Sequence, residues 1–373
     1  MDFLMVSTPK GLWAWLINSI ESGVMSYALT IILVTLIIKC VLIPFDIFNK
    51  YSTKKNMQVQ AKLKPELDNI KRRYANNPQI QNQKTMELYK RENYSMGGTC
   101  AIMLVYMVVT MVVFFTLLST LNSMSAYKIQ QQYDGLYSTY KVEYASQIEA
   151  GVSEEDAVKY AQEKVTEKYE ETKEGFLWIK NIWRPDTSAS VTLNYKDFSS
   201  IAKLSKVEKA GTSYEYDKLT EEQKKIVDEL DTEEKKADYN KYTENTYNLV
   251  MGDLLSNSKY TKWNGYYILS ILAALLTFGS LKITEVVSKV KAKKKGLPPV
   301  QSSNKTMSFV MPIIMAVFTL LYNSAFALYV VAGSLFGFVT GPLVSWIVDK
   351  MYDKFDSKKQ VQNKSSYDRT LKK

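Results

Sequence analysis

The stretch VMSYALTIILVTLIIKCVLIPFDIF, at residues 24–48, decides the fold of this 373-residue chain. It is apolar on every face of a helix and long enough to cross a bilayer. One cation, Lys39, lies inside it, about 13 Å along the helix axis from Phe48. A charge in hydrocarbon costs about 2.5–3.5 kcal/mol, so this ammonium needs a partner, a wet cavity or a path to the interface. The stretch predicts a membrane helix with a functional polar cavity at Lys39; the alternative is a lysine that snorkels to the near interface.

Apolar segments recur along the chain and predict five transmembrane helices. They lie at residues 24–48, 96–121, 263–281, 307–323 and 324–348. The last two follow each other so closely that we expect an antiparallel pair. The predicted fold class is therefore an all-α polytopic membrane protein.

The net charge of +10 is unevenly distributed along the chain. Residues 50–95 hold 11 Lys and Arg against 4 Asp and Glu, residues 282–305 hold 7 against 1, and residues 349–373 hold 8 against 4. Residues 122–262 hold 20 against 26. Because an excess of Lys and Arg marks the cytoplasmic side, the three basic segments are predicted inside and the acidic one outside. The chain is then a multi-pass plasma membrane protein with its N-terminus outside and its C-terminus in the cytoplasm.

The predicted cytoplasmic segments are a helical hairpin, a loop and a tail, all basic. The hairpin covers residues 49–95, with a turn signal at Asn76-Asn77-Pro78. We expect Pro44 to help end the preceding membrane helix, because proline lacks a backbone N–H. The loop covers residues 282–306 and the tail covers residues 349–373.

The predicted extracytoplasmic segments are an N-terminal helix and a long helical insertion. Residues 1–23 place Trp13 and Trp15 among aliphatics, which favours a helix lying in the interface over a signal peptide. Residues 122–262 carry helix-capping signatures at Ser153-Glu154-Glu155-Asp156 and Thr220-Glu221-Glu222-Gln223. We expect helices from Glu154 to Glu174 and from Glu221 to Leu255.

Composition argues against catalysis. The chain contains no histidine, and its two cysteines, Cys40 and Cys100, both lie in apolar spans. This removes imidazole bases and histidine metal ligands, and no phosphate-binding glycine loop is present. We therefore expect no catalytic residue, no metal, no cofactor and no enzyme activity. The rival function is a small-solute or ion transporter or channel with Lys39 as its site, which would predict several buried charges and an internal repeat.

Several short motifs follow one another along the chain. They are the lysine-to-proline stretch at residues 36–44, the hairpin arms at 62–67 and 87–90, the turn at 96–100, the aromatic-Pro-Asp segment at 176–186, Met311-Pro312 and Ala327-Leu328-Tyr329. Together they resemble the YidC/Oxa/Alb family of membrane protein insertases. The cation of that family is usually arginine, whereas this chain has Lys39.

The resemblance implies five helices enclosing a hydrophilic groove, through which an insertase and chaperone moves nascent membrane proteins into the lipid bilayer. It implies that Lys39 pairs with acidic residues of the incoming segment. Further candidate groove residues are Thr35, Thr110, Thr277 and Asn323, although a hydroxyl can instead bond to its own helix. A Sec translocon, and the ribosome through the basic hairpin and tail, are further candidate partners.

Overall fold

The computed structural model describes residues 9–24, 26–91, 96–201, 221–294 and 305–370. These residues form thirteen helices and no strand, with one isolated bridge between Phe176 and Ile179. In chain order the helices are α1 (Leu12–Val24), α2 (Tyr27–Arg73), α3 (Pro78–Arg91), α4 (Met96–Glu149), α5 (Glu154–Thr172), α6 (Tyr195–Ile201), α7 (Glu221–Glu229), α8 (Glu233–Val250), α9 (Gly252–Ser256), α10 (Ser258–Thr261), α11 (Ile268–Lys294), α12 (Lys305–Leu321) and α13 (Ser324–Thr370).

Four of these helices contain a stretch that is long and apolar enough to cross a membrane. The stretches are Tyr27–Asn56, Leu104–Glu149, Ile268–Val287 and Ser324–Lys354. Helix α12 contributes a shorter apolar part, Phe309–Leu321. The all-α membrane fold is thus confirmed, and a fifth spanning helix at residues 307–323 stays a prediction.

The end of the first membrane helix near Pro44 was wrongly predicted. Helix α2 continues through Pro44 and Pro65 to Arg73. Each proline removes a single helical hydrogen bond, and the neighbouring bonds keep the rest of the helix in register. Helix α4 is also long, since it continues from its apolar part as far as Glu149 without a break.

Helix α3 packs back against the last turns of α2. Leu63 and Leu88 form the buried centre of this contact, with Val59 and Leu67 beside them. The chain reverses between the two helices at the Asn76-Asn77-Pro78 signal, since α3 begins at Pro78. The basic segment therefore folds as two helical arms with a small apolar contact.

The chain divides into two compact units. Unit 1 comprises Met1–Val34, Thr116–Ala274 and Ile314–Val331. Unit 2 comprises Thr35–Phe115, Leu275–Ile313 and Ala332–Lys373.

Unit 1 has a large core that draws on most of its helices. Its largest fully buried side chains include Tyr27, Ile31, Leu117, Leu121, Met124, Leu136, Tyr169, Ile179, Ile182 and Phe326. Helix α1 is tied to α4 by the bond from Trp13 Nε1 to Thr116 Oγ1, 2.9 Å, and by the ion pair of Lys128 with Glu21, 2.5 Å.

The insertion in unit 1 is helical, as predicted. Ser153 caps α5, because its hydroxyl accepts from the N–H of Asp156. Thr220 lies outside the described residues. The single helix predicted from Glu221 to Leu255 is wrong, because the structure contains α7, α8 and α9 there. Thr232 caps α8 by accepting from the N–H of Lys235, which begins a new helix where the prediction continued the old one.

Candidate functional site

Lys39 of α2 lies against a glycine of α13 in unit 2. A Cβ built on Gly333 would lie 3.0 Å from Lys39 Cε and 3.8 Å from Lys39 Nζ. The lysine is half-buried, whereas Gly333 is buried. Because glycine has no side chain, α13 leaves room for the end of the lysine at this point.

Thr35 lies one helical turn before Lys39 and on the same face of α2. Its side chain is fully buried, and its Cγ2 would lie 3.6 Å from the same Cβ position on Gly333. The structure therefore brings two of the sequence-predicted site residues together, at a point where α2 and α13 approach closely.

The ammonium of Lys39 makes neither a hydrogen bond nor an ion pair with the residues that the structure describes. The charge of Asp46, seven residues along α2, acts on Lys39 at longer range. That carboxylate is itself engaged, because the hydroxyl of Tyr106 on α4 donates to Asp46 Oδ1. The carboxylate whose charge acts on Lys39 is therefore already hydrogen-bonded to a residue of another helix.

Two other lysines farther along α2 are fully engaged. Lys50 Nζ donates to the carbonyl of Gly341, 3.1 Å, and to Ser345 Oγ, 3.4 Å. Lys54 Nζ pairs with Asp349 Oδ1 at 2.5 Å. These three lysines of α2 thus share a neighbour, α13, but Lys50 and Lys54 find acceptors on it, whereas Lys39 has none among the described residues.

Helix α13 continues with small residues beyond Gly333. Gly337 and Gly341 follow at four-residue spacing, which places all three glycines on one face of the helix. A Cβ built on Gly337 or on Gly341 would meet no described atom within 4 Å. The face of α13 that carries the three glycines therefore borders open space at Gly337 and Gly341, beyond the position of Lys39.

The remaining candidate residues have different environments. Thr110 Oγ1 donates to the carbonyls of Tyr106 and Met107, each at 2.9 Å, so it bonds to its own helix. Thr277 is half-buried on α11 of unit 2. Asn323 belongs to unit 1, where its Oδ1 accepts from the N–H of Phe326 at 2.9 Å and caps α13.

Sequence reasoning missed Gly333, Asp46 and Tyr106 as members of this region. The four-residue spacing of glycines in α13 was a usable signal for the first, because such faces permit close helix approach. The pairing of Asp46 with Tyr106 had no local signal, because the two residues lie on different helices.

Comparison with known proteins places the chain in a family. A family model described as 60Kd inner membrane protein matches residues 19–354. Relatives named membrane protein insertase YidC include those of Fusobacterium nucleatum, 36% identical over 110 residues, and Clostridium tetani, 41% identical over 75 residues. A third, from Clostridium perfringens, is 32% identical over 101 residues.

These alignments are short in relation to both partners. They cover 30%, 20% and 26% of this chain and 52%, 32% and 41% of the respective relatives. The chain thus spans between about a third and a half of the relatives' length in these matches. The family model, by contrast, extends over nearly all of the chain, and the protein therefore belongs to the 60Kd inner membrane protein family, which is the YidC/Oxa/Alb family of membrane proteins.

Proposed function

We propose that this protein is a membrane protein insertase and chaperone that receives hydrophobic segments of nascent proteins, with their short polar tails, in a hydrophilic groove around Lys39. The observation that carries the proposal is the ammonium of Lys39, which lies beside Gly333 without an ion-pair partner among the described residues. Family membership supports the reaction class, since the relatives are named as insertases.

A half-buried cation without an ion-pair partner among the described residues favours a transient acidic partner. Two opposite charges about 4 Å apart attract by about 1 kcal/mol in water and about 4 kcal/mol at an effective dielectric constant near 20. The attraction at Lys39 is therefore comparable to the cost of about 2.5–3.5 kcal/mol of placing one charge in hydrocarbon. An acidic residue in the tail of a client would lower its own transfer cost by pairing there.

The apolar part of the client then moves sideways into lipid. Burial of apolar surface supplies about 25 cal/mol per Å², which favours release of the span from a polar groove. This mechanism needs neither a covalent step nor a nucleotide. Thr35, beside Lys39, is the second residue that we place in the groove, and Thr110 and Thr277 are weaker candidates.

We also propose that five helices cross the membrane, with the N-terminus outside. Helices α2, α11 and α13 begin in unit 1, whereas α4 and α12 end in it. Along the chain, three apolar helices therefore lead from unit 1 into unit 2 and two lead back, as alternation through five spans requires. The basic segments, at residues 49–95, 282–306 and 349–373, belong to unit 2, which supports a plasma membrane protein with these segments in the cytoplasm.

The proposed partners are nascent membrane proteins and the lipid bilayer. The arms of the basic hairpin expose several cations, namely Lys64, Lys71, Arg72, Arg73, Lys84, Lys90 and Arg91. Such a surface suits the phosphates of ribosomal RNA, so we include the ribosome among the proposed partners. A Sec translocon is a further proposed partner, on the strength of family resemblance alone.

The test is insertion of a single-spanning client into liposomes that contain the purified full-length protein. Clients with an acidic tail and with a neutral tail are compared for wild type, Lys39→Arg, Lys39→Ala and Lys39→Glu. We expect Arg to support insertion of both clients, and Ala and Glu to lose the acidic client while keeping much of the neutral one. Lys39→Glu should accept a client whose acidic tail residue is replaced by lysine.

Lys54→Ala is the matched control, because it removes a cation of the same helix that already has a partner. It should leave the preference for acidic over neutral tails unchanged. Equal insertion by all Lys39 variants would reject the electrostatic groove. An ion flux that responds to Lys39, without insertion, would support the transporter or channel instead.

A further inference from the structure

A short segment of unit 1, residues 174–186, contacts the beginnings of three long helices. The ring of Trp183 packs against that of Tyr27, the first residue of α2, with 4.4 Å between the ring centroids. The carbonyls of Arg184 and Ile182 accept from the N–H groups of Ser324 and Ala325 in the first turn of α13, at 2.9 and 3.2 Å. The first N–H groups of a helix have no partner within it, so these bonds satisfy donors that are otherwise lost on burial.

The same segment also caps α11 through a fully buried carboxylate. Asp186 accepts from the N–H of Tyr266 at 2.8 Å and from that of Leu269 at 2.6 Å. It is 0% exposed. A Cβ on Gly265 would lie 1.9 Å from Asp186 Oδ1, so only glycine allows the backbone to approach this carboxylate. The segment thus caps two helices and packs against the beginning of a third.

In this arrangement, negative side-chain charge nearly balances the partial positive charge of the helix beginnings. Each helix beginning carries the equivalent of about +0.5 elementary charge, so the two capped beginnings bring together about +1. Asp186 supplies one negative charge to the donors of α11. The two positive helix ends can therefore lie in a buried core without leaving a large uncompensated charge.

Backbone strain concentrates in this region. Three residues other than glycine have positive φ in the described part of the chain, and they are Leu177 at 54°, Trp263 at 60° and Tyr267 at 64°. The first lies within residues 174–186 and the other two lie in the segment that Asp186 caps. Such conformations persist only where the surrounding bonds fix them, and they concentrate at functional positions.

Two buried asparagines join the segments into one network. Asn181 N–H donates to Asn264 Oδ1 at 2.8 Å, and Asn264 Nδ2 donates to the carbonyls of Asn181 and Pro185, each at 2.9 Å. Asn181 is 3% and Asn264 is 0% exposed. Because both partners are buried, loss of one bond leaves donors and acceptors that water cannot reach.

We propose that residues 174–186 form a capping hub, which holds the beginnings of α2, α11 and α13 as one cooperative body and thereby serves as the rigid anchor of the insertion machinery. The hub is a positioning element that touches no client. Its role in insertion rests on the proposed function, whereas its cooperativity is a property of the chain alone.

The first test measures amide hydrogen exchange of the full-length protein in lipid nanodiscs, at Tyr27, Leu269 and Ser324. In Asp186→Ala, loss of one acceptor should speed exchange by about tenfold or more at Leu269, and also at Ser324 and Tyr27. Acceleration confined to Leu269 would overturn the proposal, because it would mean that the three helix beginnings act independently.

A second pair of variants keeps the test decisive if Asp186→Ala does not fold. Trp183→Leu removes the ring that packs against Tyr27 and should speed exchange at all three helix beginnings. Trp183→Phe keeps an aromatic ring and should preserve the slow exchange. Glu171→Ala, on the exposed face of α5, should leave all three rates unchanged. Failure of Trp183→Leu to speed exchange at Leu269 or at Ser324 would equally reject the hub.

The functional part of the test separates the hub from Lys39. Trp183→Leu should lower insertion of acidic and neutral clients by the same factor, because the hub does not contact the charged tail of the client. A loss restricted to acidic clients would reject the positioning role. If the wild-type protein inserts no client, the proposed function fails, and the exchange measurements still decide whether the hub is one body.

Discussion

Asp186 in unit 1 and Lys39 in unit 2 are two charged groups that differ in burial and in hydrogen bonding. Asp186 is fully buried and accepts two backbone hydrogen bonds, at 2.6 and 2.8 Å. Lys39 is half-buried, faces Gly333, and forms no ion pair with the described residues. Asp186 thus caps the beginning of α11, whereas Lys39 has no such partner among the described residues, which is why we propose a transient partner for it.

The difference extends to the surroundings of the two groups. Around the hub, glycine is required because a side chain would collide, as at Gly265. Along α13, Gly337 and Gly341 have open space beside them. Close packing therefore marks the region that we assign to anchoring, and free volume marks the region that we assign to clients.

The largest effect is expected for Gly265→Ala. The new methyl group would overlap Asp186 Oδ1 and disturb the cap of α11, which should destabilise unit 1 by about 3 kcal/mol. Denaturant unfolding in detergent measures this loss. Gly135→Ala in α4 is the control, because no described atom lies within 4 Å of its Cβ and alanine favours a helix by about 1 kcal/mol. Equal stability of the two variants would contradict the packing argument.

A functional effect without loss of fold is expected for Gly333→Leu. The leucine would occupy the space of the Lys39 side chain and displace the ammonium, so insertion of an acidic-tailed client should fall about tenfold, while a neutral client is less affected. Gly337→Leu, one turn farther along α13, should change the preference for acidic tails much less. If both variants lose the same client equally, the contact at Lys39 is not the cause.

A smaller effect is expected for Tyr106→Phe. Loss of the hydroxyl releases the carboxylate of Asp46, which lies two turns from Lys39 on the same helix face. The freed carboxylate should compete with acidic clients and lower their insertion by a factor of about five, equivalent to about 1 kcal/mol. Addition of Asp46→Asn should restore insertion. Continued loss in the double variant would show that Tyr106 acts in another way.

The smallest effect concerns two glutamates of unit 1. Burial opposes ionisation of Glu170, but hydrogen bonds from Lys173, Tyr260 and Lys259 outweigh it and lower its pKa to about 2. Burial raises the pKa of Glu174, although the N–H of Tyr27 opposes the rise.

These opposite shifts predict opposite pH dependences of stability. The contribution of Glu170 is present above the ordinary glutamate pKa and is lost as pH falls towards 2. The contribution of Glu174 is present below that pKa and is lost as pH rises through its raised pKa. Thermal unfolding at a series of pH values measures both contributions. Glu170→Gln should remove the loss of stability at acid pH, and Glu174→Gln should remove the loss of stability at higher pH. Each change in the free energy of unfolding should be less than about 1 kcal/mol. Changes of the same sign would contradict this assignment.

Local patterns in the sequence predicted much of the fold. The apolar runs predicted the long membrane helices, and Ser153 predicted the start of α5, because length, hydropathy and capping are properties of neighbouring residues. The continuation of α2 through Pro44 was missed, because the surrounding helix outweighs one absent hydrogen bond.

The candidate sites were predicted only in part, because local patterns do not report contacts between distant segments. Lys39 could be found because a lone cation in an apolar run is unusual. Its neighbour Gly333 and the capping role of Asp186 depend on contacts between segments that are distant in sequence. The aromatic-Pro-Asp segment looked like an interfacial run, and only the structure shows that its polar atoms receive helix beginnings.

Pro44 has a consequence for the hydration of the Lys39 region. It has no N–H to donate to the carbonyl of Cys40, four residues back and adjacent to Lys39 in sequence. A carbonyl without a helical donor is costly in dry hydrocarbon, so it attracts water or a donor from another chain. A carbonyl without a helical donor and a cationic residue are thus neighbours in the sequence of α2. The main chain therefore adds a polar group at this level of the helix that substitution of side chains other than Pro44 would not remove.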